Sequence, residues 1–312
     1  MPRRLHWFLL GGAASLALYR LVRRLRPEPL PLVLNRAVVI ITGASSGIGR
    51  AYAHAFAQHG ARLVLAARRA ALLEEVRSEI ASHAADVLCI PTDINEDAQL
   101  EHLVKTTLER YGRIDILVNN AGVALQSRLQ SHATERIRQL VNTNLAATIN
   151  LTRLCLPTML AQRSGVILNV SSILGKFPNA TMPVYTATKA AVNAFSDALR
   201  RRLEGTGVRV VSVLPSYTDT DMLSPVVQGY MRTLGFRVDT PQHVAEHTLD
   251  KLLQGKQEIW FGDVATRALA LLEQHVPLLS ALMQRALITP EVIAMLEGRL
   301  AIPEADKRGA QN

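Results

Sequence analysis

Six runs of six to eight apolar, largely β-branched residues recur along the chain with helix-period sequence between them, and no other feature limits its possible folds so tightly. The runs are AVVIIT (37–42), RLVLAA (62–67), DVLCIP (86–91), DILVNN (115–120), GVILNVSS (165–172) and VRVVSVLP (208–215), with a weaker EIWFG at 258–262. A strand that is apolar without alternation is buried on both faces. Helix-period stretches at 47–59, 69–83, 96–110, 133–162 and 185–204 supply the crossovers. Right-handed units of this kind build an α/β, doubly wound parallel sheet, here of about seven strands, with helices on both faces. Ligands are expected beyond the carboxyl ends of its strands. The two cysteines, Cys89 and Cys155, stand far apart with no CxxC, so a disulfide scaffold or a Cys-rich zinc site is excluded and no metal site is expected.

The chain carries 35 Lys+Arg against 26 Asp+Glu, a net charge of +9, and where that charge sits decides what it means. Residues 1–30 hold Arg3, Arg4, Arg20, Arg23, Arg24 and Arg26 against Glu28; six minus one is +5, leaving +4 for the rest. This is no nucleic-acid footprint. Between the arginines lies Leu5–Tyr19, without a formal charge. As a helix it spans about 22 Å against a hydrocarbon core of roughly 30 Å, which snorkelling arginines over residues 5–22 can bridge. Three readings stand: a membrane anchor, a cleaved presequence, or a helix packed on the body or a partner. In the first, the arginine bias places the C-terminal body on the cytosolic face; in the second, the body is organellar or soluble after cleavage. The expected units are therefore 1–35 (hydrophobic and basic segment with a Pro27–Leu32 linker), 36–262 (the doubly wound domain) and 263–312 (helical tail interrupted at Pro277 and Pro290). The apolar stretch Leu269–Met283 could pack on the body, form a dimer contact or touch a membrane.

The first strand runs into Thr42-Gly43-Ala44-Ser45-Ser46-Gly47-Ile48-Gly49. Gly43 permits the turn, Gly47 the close approach of backbone to ligand, and Gly49 the packing of the following helix. The loop and helix start (Ser45, Ser46, Ile48) then face a pyrophosphate, as in a Rossmann-type site. Where NAD binders place an acid after the second strand, this chain has Ala67-Arg68-Arg69. Arg68 and Arg69 suit a 2′-phosphate and favour NADP(H) over NAD(H), or they are a solvated pair at a helix start. Asp93, beside Ile94, could meet the adenine amine or cap the helix at 96–110. Asn119-Asn120-Ala121-Gly122 can line the cofactor or stitch strands together. Tyr185 and Lys189, four apart, project from one helix face. A buried ammonium beside a phenol is expected to lower the phenol's pKa from about 10, as a general acid/base needs. Ser172 ends the fifth strand, where its hydroxyl could reach the same pocket.

TGASSGIG, NNAG, NxSS, YxxxK and a proline turn after the sixth strand follow one another in order over 38–222, and the match extends toward 262. With these the chain resembles the short-chain dehydrogenases/reductases. The resemblance implies hydride transfer between a nicotinamide and a carbonyl or alcohol, with Tyr185 as acid/base. It makes Lys189 the residue that binds the nicotinamide ribose, and Ser172, in preference to Ser171, the one that hydrogen-bonds the carbonyl. Asn144 would hold a water in a proton path from Lys189, with Asn142 structural. Pro215, Thr218 and Thr220 would lie near the nicotinamide, although Ser216 replaces the family's glycine and Thr218 its valine. A homodimer or homotetramer is implied in the same way. The substrate walls are expected at Val123–Gln126, Leu174–Met182 and Asp219–Thr240, including Leu125, Phe177, Met182, Met222, Leu223 and Val226. That apolar set suits a lipid-like carbonyl or alcohol, or merely covers the pocket. Two other functions compete. An epimerase or dehydratase usually spaces its glycines GxxGxxG rather than GxxxGxG, and an inactive nucleotide-binding scaffold would not need all four catalytic residue types.

Overall fold

The structure, a computed structural model, describes residues 33–125, 129–223, 228–229, 231, 236–276, 278 and 282. The expected segment 5–22, the wall residues Gln126 and Val226, and Pro277 and Pro290 lie outside these. Seven strands form one sheet: β1 (Val38–Thr42), β2 (Arg62–Ala67), β3 (Asp86–Pro91), β4 (Ile116–Asn119), β5 (Gly165–Val170), β6 (Val208–Leu214) and β7 (Glu258–Trp260). The helices are α1 (Gly47–Gln58), α2 (Ala70–Ile80), α3 (Asp97–Tyr111), α4 (Thr134–Val141), α5 (Ala147–Gln162), α6 (Pro183–Arg202), α7 (Pro241–Leu253) and α8 (Val264–His275). The order is β3-β2-β1-β4-β5-β6-β7, every pair parallel. The chain winds outward from β1 to β3 and returns to β4, so the switch point lies between the carboxyl ends of β1 and β4.

Each unbroken apolar run is divided between two cores by the pleat. Val39 and Ile41 face α1, α2 and α7 together with Tyr52, Phe56, Leu73 and Leu249. Val38 and Ile40 face the other layer with Leu100, Leu103, Leu151, Cys155 and Met159. Burying one such side chain stabilises the fold by about 1.5–3 kcal/mol, so a charged residue at 38–41 has no face to occupy. Asp115 ties the sheet's start, accepting from Val38 N at 2.8 Å while Arg113 pairs with it at 2.7 Å. Helix ends follow local chemistry. Thr240 Oγ1 accepts from His243 N at 3.1 Å ahead of α7, and Gly112, at φ +71°, closes α3.

The stretch 133–162, read from sequence as one helix, is α4 and α5 joined by a π turn at Asn142–Ala146. Periodicity over so long a stretch averages out one inserted residue. Asp93 does not cap α3, whose N-cap position is Glu96. Its Oδ1 instead accepts from Asn95 N and Nδ2, each at 3.0 Å, in a local turn. Leu34 is already in the core, and Ala270 of α8 is buried. Among the described residues no helix is long and apolar enough to cross a membrane.

Candidate active site

A cavity of about 710 Å³ lies along the carboxyl edge of the sheet and crosses the switch point. Its floor is the glycine loop. Gly43 and Gly47 hold φ of +66° and +54°, a region that favours glycine. A Cβ on Gly49 would stand 2.2 Å from Gly43 O and 2.6 Å from Asn120 Nδ2, so the first turn of α1 presses directly on the loop. Asn120 Nδ2 donates to Thr42 O at 2.9 Å, and Thr42 Oγ1 accepts from Asn120 N at 3.0 Å and Ala121 N at 3.1 Å. The ends of β1 and β4 are thereby clamped together beneath the first turn of a helix, where a pyrophosphate is favourably received. Gly43, Ser45, Ser46, Gly47 and Ile48 all face the cavity, whereas Gly49 lies behind them.

The NNAG tetrad divides its work as the two alternatives allowed. Asn119 is buried and stitches: its Nδ2 donates to Thr152 Oγ1 at 3.0 Å and Asn169 Oδ1 at 2.8 Å, and Asn169 Nδ2 continues to Ser196 Oγ. Asn120, Ala121 and Gly122 line the cavity, as do Asp93 and Ile94. At the end of β2, Arg68 and Arg69 also reach the wall. Arg69 Nη2 donates to Ser45 Oγ at 3.1 Å and Ser46 Oγ at 3.0 Å, which holds one guanidinium against the glycine loop.

Ser172, Tyr185 and Lys189 converge on the opposite wall. Ser172 Oγ accepts from Leu174 N at 3.1 Å and makes only a long contact, 3.4 Å, to Pro215 O. Ser171 is engaged elsewhere, its hydroxyl donating to Lys189 O at 3.0 Å and fastening α6 to β5. Lys189 Nζ donates to Val170 O at 2.9 Å and sits 5.7 Å from the centroid of the Tyr185 ring. The expected lowering of the phenol's pKa is not found. Burial pushes Tyr185 up to about 12, with the Ser172 hydroxyl pulling the other way, and burial pushes Lys189 down to about 8. Desolvation outweighs the Ser172 hydrogen bond here, so the phenol is a held proton donor at neutral pH.

Asn144 lies in the π turn and is buried, while Asn142 is exposed. Asn144 does not line the cavity. Its Oδ1 accepts from Val123 N at 2.8 Å, and its Nδ2 donates to Val123 O at 2.9 Å and Thr188 Oγ1 at 3.1 Å. It therefore braces the strand-end loop against α6 at Thr188, the residue before Lys189. Pro215, Thr218 and Thr220 line the cavity, with Thr220 Cγ2 poised 3.2 Å from where a Cβ on Gly47 would be. Ser216 brings a hydroxyl that is buried without a partner among the described residues.

The apolar wall is formed by Leu174, Met182, Met222, Leu223 and Met231, whereas Leu125 and Phe177 do not line the cavity. Helix α4 adds Arg136 and Gln139, the π turn adds Thr143, and the neighbouring loops add Asn95, Asn179 and Thr181. Sequence reasoning had no motif for these; the spacing 136, 139, 143 on one helix face was the available signal. Thr143 Oγ1 donates to Asn95 Oδ1 at 3.0 Å, joining the π turn to the Asp93 turn.

A glycine-loop dinucleotide site and a hydroxyl–phenol–ammonium cluster on facing walls of one cavity define an NAD(P)-dependent dehydrogenase/reductase. The short chain dehydrogenase model matches residues 37–230. The chain is 31% identical over 290 residues to a dehydrogenase/reductase SDR family protein 7-like of Anopheles gambiae, covering 88% of this chain and 91% of that one. A metagenomic short-chain oxidoreductase in complex with NADP superposes with a TM-score of 0.64 at 29% identity, over 74% of this chain and 98% of that one. The 3-ketoacyl-(acyl-carrier-protein) reductase of Brucella melitensis complexed with NADH gives 0.65 at 28%, over 72% and 96%. The chain belongs to the short-chain dehydrogenase/reductase family.

Proposed function

We propose that the chain transfers a hydride between NADP(H), in preference to NAD(H), and a carbonyl or secondary alcohol on an apolar, lipid-like molecule. The convergence of Ser172, Tyr185 and Lys189 on the wall facing the glycine loop carries this reading. When bound, the nicotinamide supplies or accepts the hydride. In reduction, Tyr185 Oη gives its proton to the substrate oxygen as charge develops there. Ser172 Oγ, only weakly committed to Pro215, turns to donate to the same oxygen. Lys189, with a pKa near 8, holds the ribose end and returns a proton to Tyr185. Asn144 acts by fixing Val123 and Thr188, which sets the loop and the α6 face.

Gly43, Ser45, Ser46, Gly47 and Ile48 would hold the pyrophosphate, with Asp93 and Ile94 at the adenine. Ser45, Ser46, Arg68 and Arg69 offer donors at the end of β2, which suits a 2′-phosphate. Met182, Met222, Leu223 and Met231 support an apolar substrate. Residues 5–22 are taken to hold the chain at a membrane with this domain in the cytosol, and self-association as a dimer is proposed with it.

The test is a panel of ketones and aldehydes graded by chain length and ring size, with NADPH oxidation followed in the parent, Tyr185→Phe and Arg69→Ala. Tyr185→Phe should abolish turnover while sparing cofactor binding, and retained turnover removes Tyr185 as the acid. Arg69→Ala should weaken NADP(H) by tenfold or more without touching NAD(H), and equal loss for both cofactors refutes the phosphate role.

A further inference from the structure

Because every strand runs the same way, their amino ends form one edge, opposite the cavity. From β2 to β7 each strand starts within three residues of a basic residue: Arg62, Arg36, Arg113, Arg163, Arg209 and Lys256 in the order of the sheet. With strands about 4.8 Å apart, this row is about 24 Å long. Arg113 is spent on Asp115, and Arg209 donates to Gly255 O at 2.7 Å. Arg36, Arg163 and Lys256 are exposed and have no ion-pair partner among the described residues, and Arg201 and Arg202 at the end of α6 add two more such cations. Glu204 is an exposed acid beside them, while Asp86, Glu109 and Asp250 at the same edge are paired with Arg110, Lys105 and Lys251.

Two of these residues are held against their backbone preference. Arg36 (φ 61°) and Arg163 (φ 51°) are the non-glycine residues with positive φ among those described. Glycine is the unstrained choice at such positions, so an exposed arginine kept there points to a use for its side chain. Val33, 72% exposed, leaves the body three residues before Arg36. A segment leading from residues 5–22 therefore joins the body at this edge, and not at the cavity edge.

We infer that the amino edge of the sheet is a docking surface for an anionic lipid bilayer, with the cavity opening on the side away from it. The inference rests on the membrane reading of residues 5–22. The test compares the full chain with its Arg36→Gly, Arg163→Gly double variant on vesicles of phosphatidylcholine alone and with added phosphatidylserine. Each arginine should contribute about fivefold to partitioning on the anionic vesicles, so the double variant loses about 25-fold there and nothing on neutral vesicles. Its Tm should equal or exceed the parent's, since glycine relieves both backbones. Amide exchange in the parent should slow at 33–36 and 201–207 on anionic vesicles and stay unchanged at 219–223. Failure to bind either vesicle overturns the anchor reading and this one together. Binding that the double variant shares in full, or protection at 219–223 in place of the amino edge, overturns this one alone.

Discussion

Gly49→Ala perturbs the cofactor floor without touching any group of the proposed chemistry. The added Cβ would lie 2.2 Å from Gly43 O, 2.7 Å from Gly43 C and 2.6 Å from Asn120 Nδ2. Ordinary contact begins near 3.4 Å, so helix and loop must part by about 1 Å. The first two neighbours are backbone and cannot rotate away. Overpacking of this kind costs about 1–3 kcal/mol, and losing the Asn120–Thr42 bond of 2.9 Å adds about 1 kcal/mol. At 2–4 °C per kcal/mol for a domain this size, Tm should fall by about 5–15 °C. A lifted loop also turns its amides from the pyrophosphate, so NADP(H) should bind at least about tenfold more weakly, a loss of about 1.4 kcal/mol. Gly112→Ala is the control: its φ is +71° but nothing lies within 4 Å of the new Cβ, so it should cost only about 1 kcal/mol and leave cofactor affinity alone. Thermal unfolding and titration of nicotinamide fluorescence read both effects. A Gly49→Ala protein that binds NADP(H) as tightly as the parent would refute the argument that close helix packing shapes the floor.

Lys189→Met should raise Tm at pH 7 while abolishing turnover, because the buried ammonium is held below its ordinary pKa. The gap between 10.5 and about 8 is worth about 3 kcal/mol, less about 1 kcal/mol for the lost bond to Val170. The unfolded chain binds more protons there between pH 8 and 10.5, so the parent gains stability as pH rises through that window. The gap between the two proteins should thus narrow from pH 8 to 10; a constant gap sinks the reasoning. Above pH 10 Tyr185, whose pKa is raised toward 12, acts with the opposite sign. Asn144→Ala leaves Val123 N and O without their partners and should cost about 2–4 kcal/mol in thermal unfolding, with an unchanged Tm counting against a bracing role. Ser216→Ala removes a buried hydroxyl with no partner among the described residues; Tm should rise by about 2–4 °C, and a fall shows that the hydroxyl is bonded in solution.

What the sequence disclosed was whatever depends on local spacing. A run such as Val38–Thr42 is buried on both faces and has no polar phase to confuse with a helix. The four-residue interval of Tyr185 and Lys189 put them on one face before any fold was known. What stayed hidden depends on atoms brought together from afar. Asp93 could be an adenine ligand or a cap, and only the position of Asn95 shows that it closes a local turn. Arg136 and Gln139 gain their place on the wall from the way α4 lies along the cavity, which no motif encodes. The pKa of Tyr185 went the other way from expectation because sequence reports a neighbour's charge but not the depth of burial.

The π turn at Asn142–Ala146 has a consequence for how this chain tolerates change in length. One residue added to an α-helix rotates everything beyond it by about 100°. Asn144 belongs to the phase that addresses Val123 and α6, while Thr152, Cys155 and Met159 belong to the phase that grips the sheet. Deleting Leu145 would restore an unbroken α-helix with better hydrogen bonds, yet it would swing Thr152 off Asn119 and Met159 out of the core. The extra residue is what allows one continuous rod to serve two surfaces that do not lie in line.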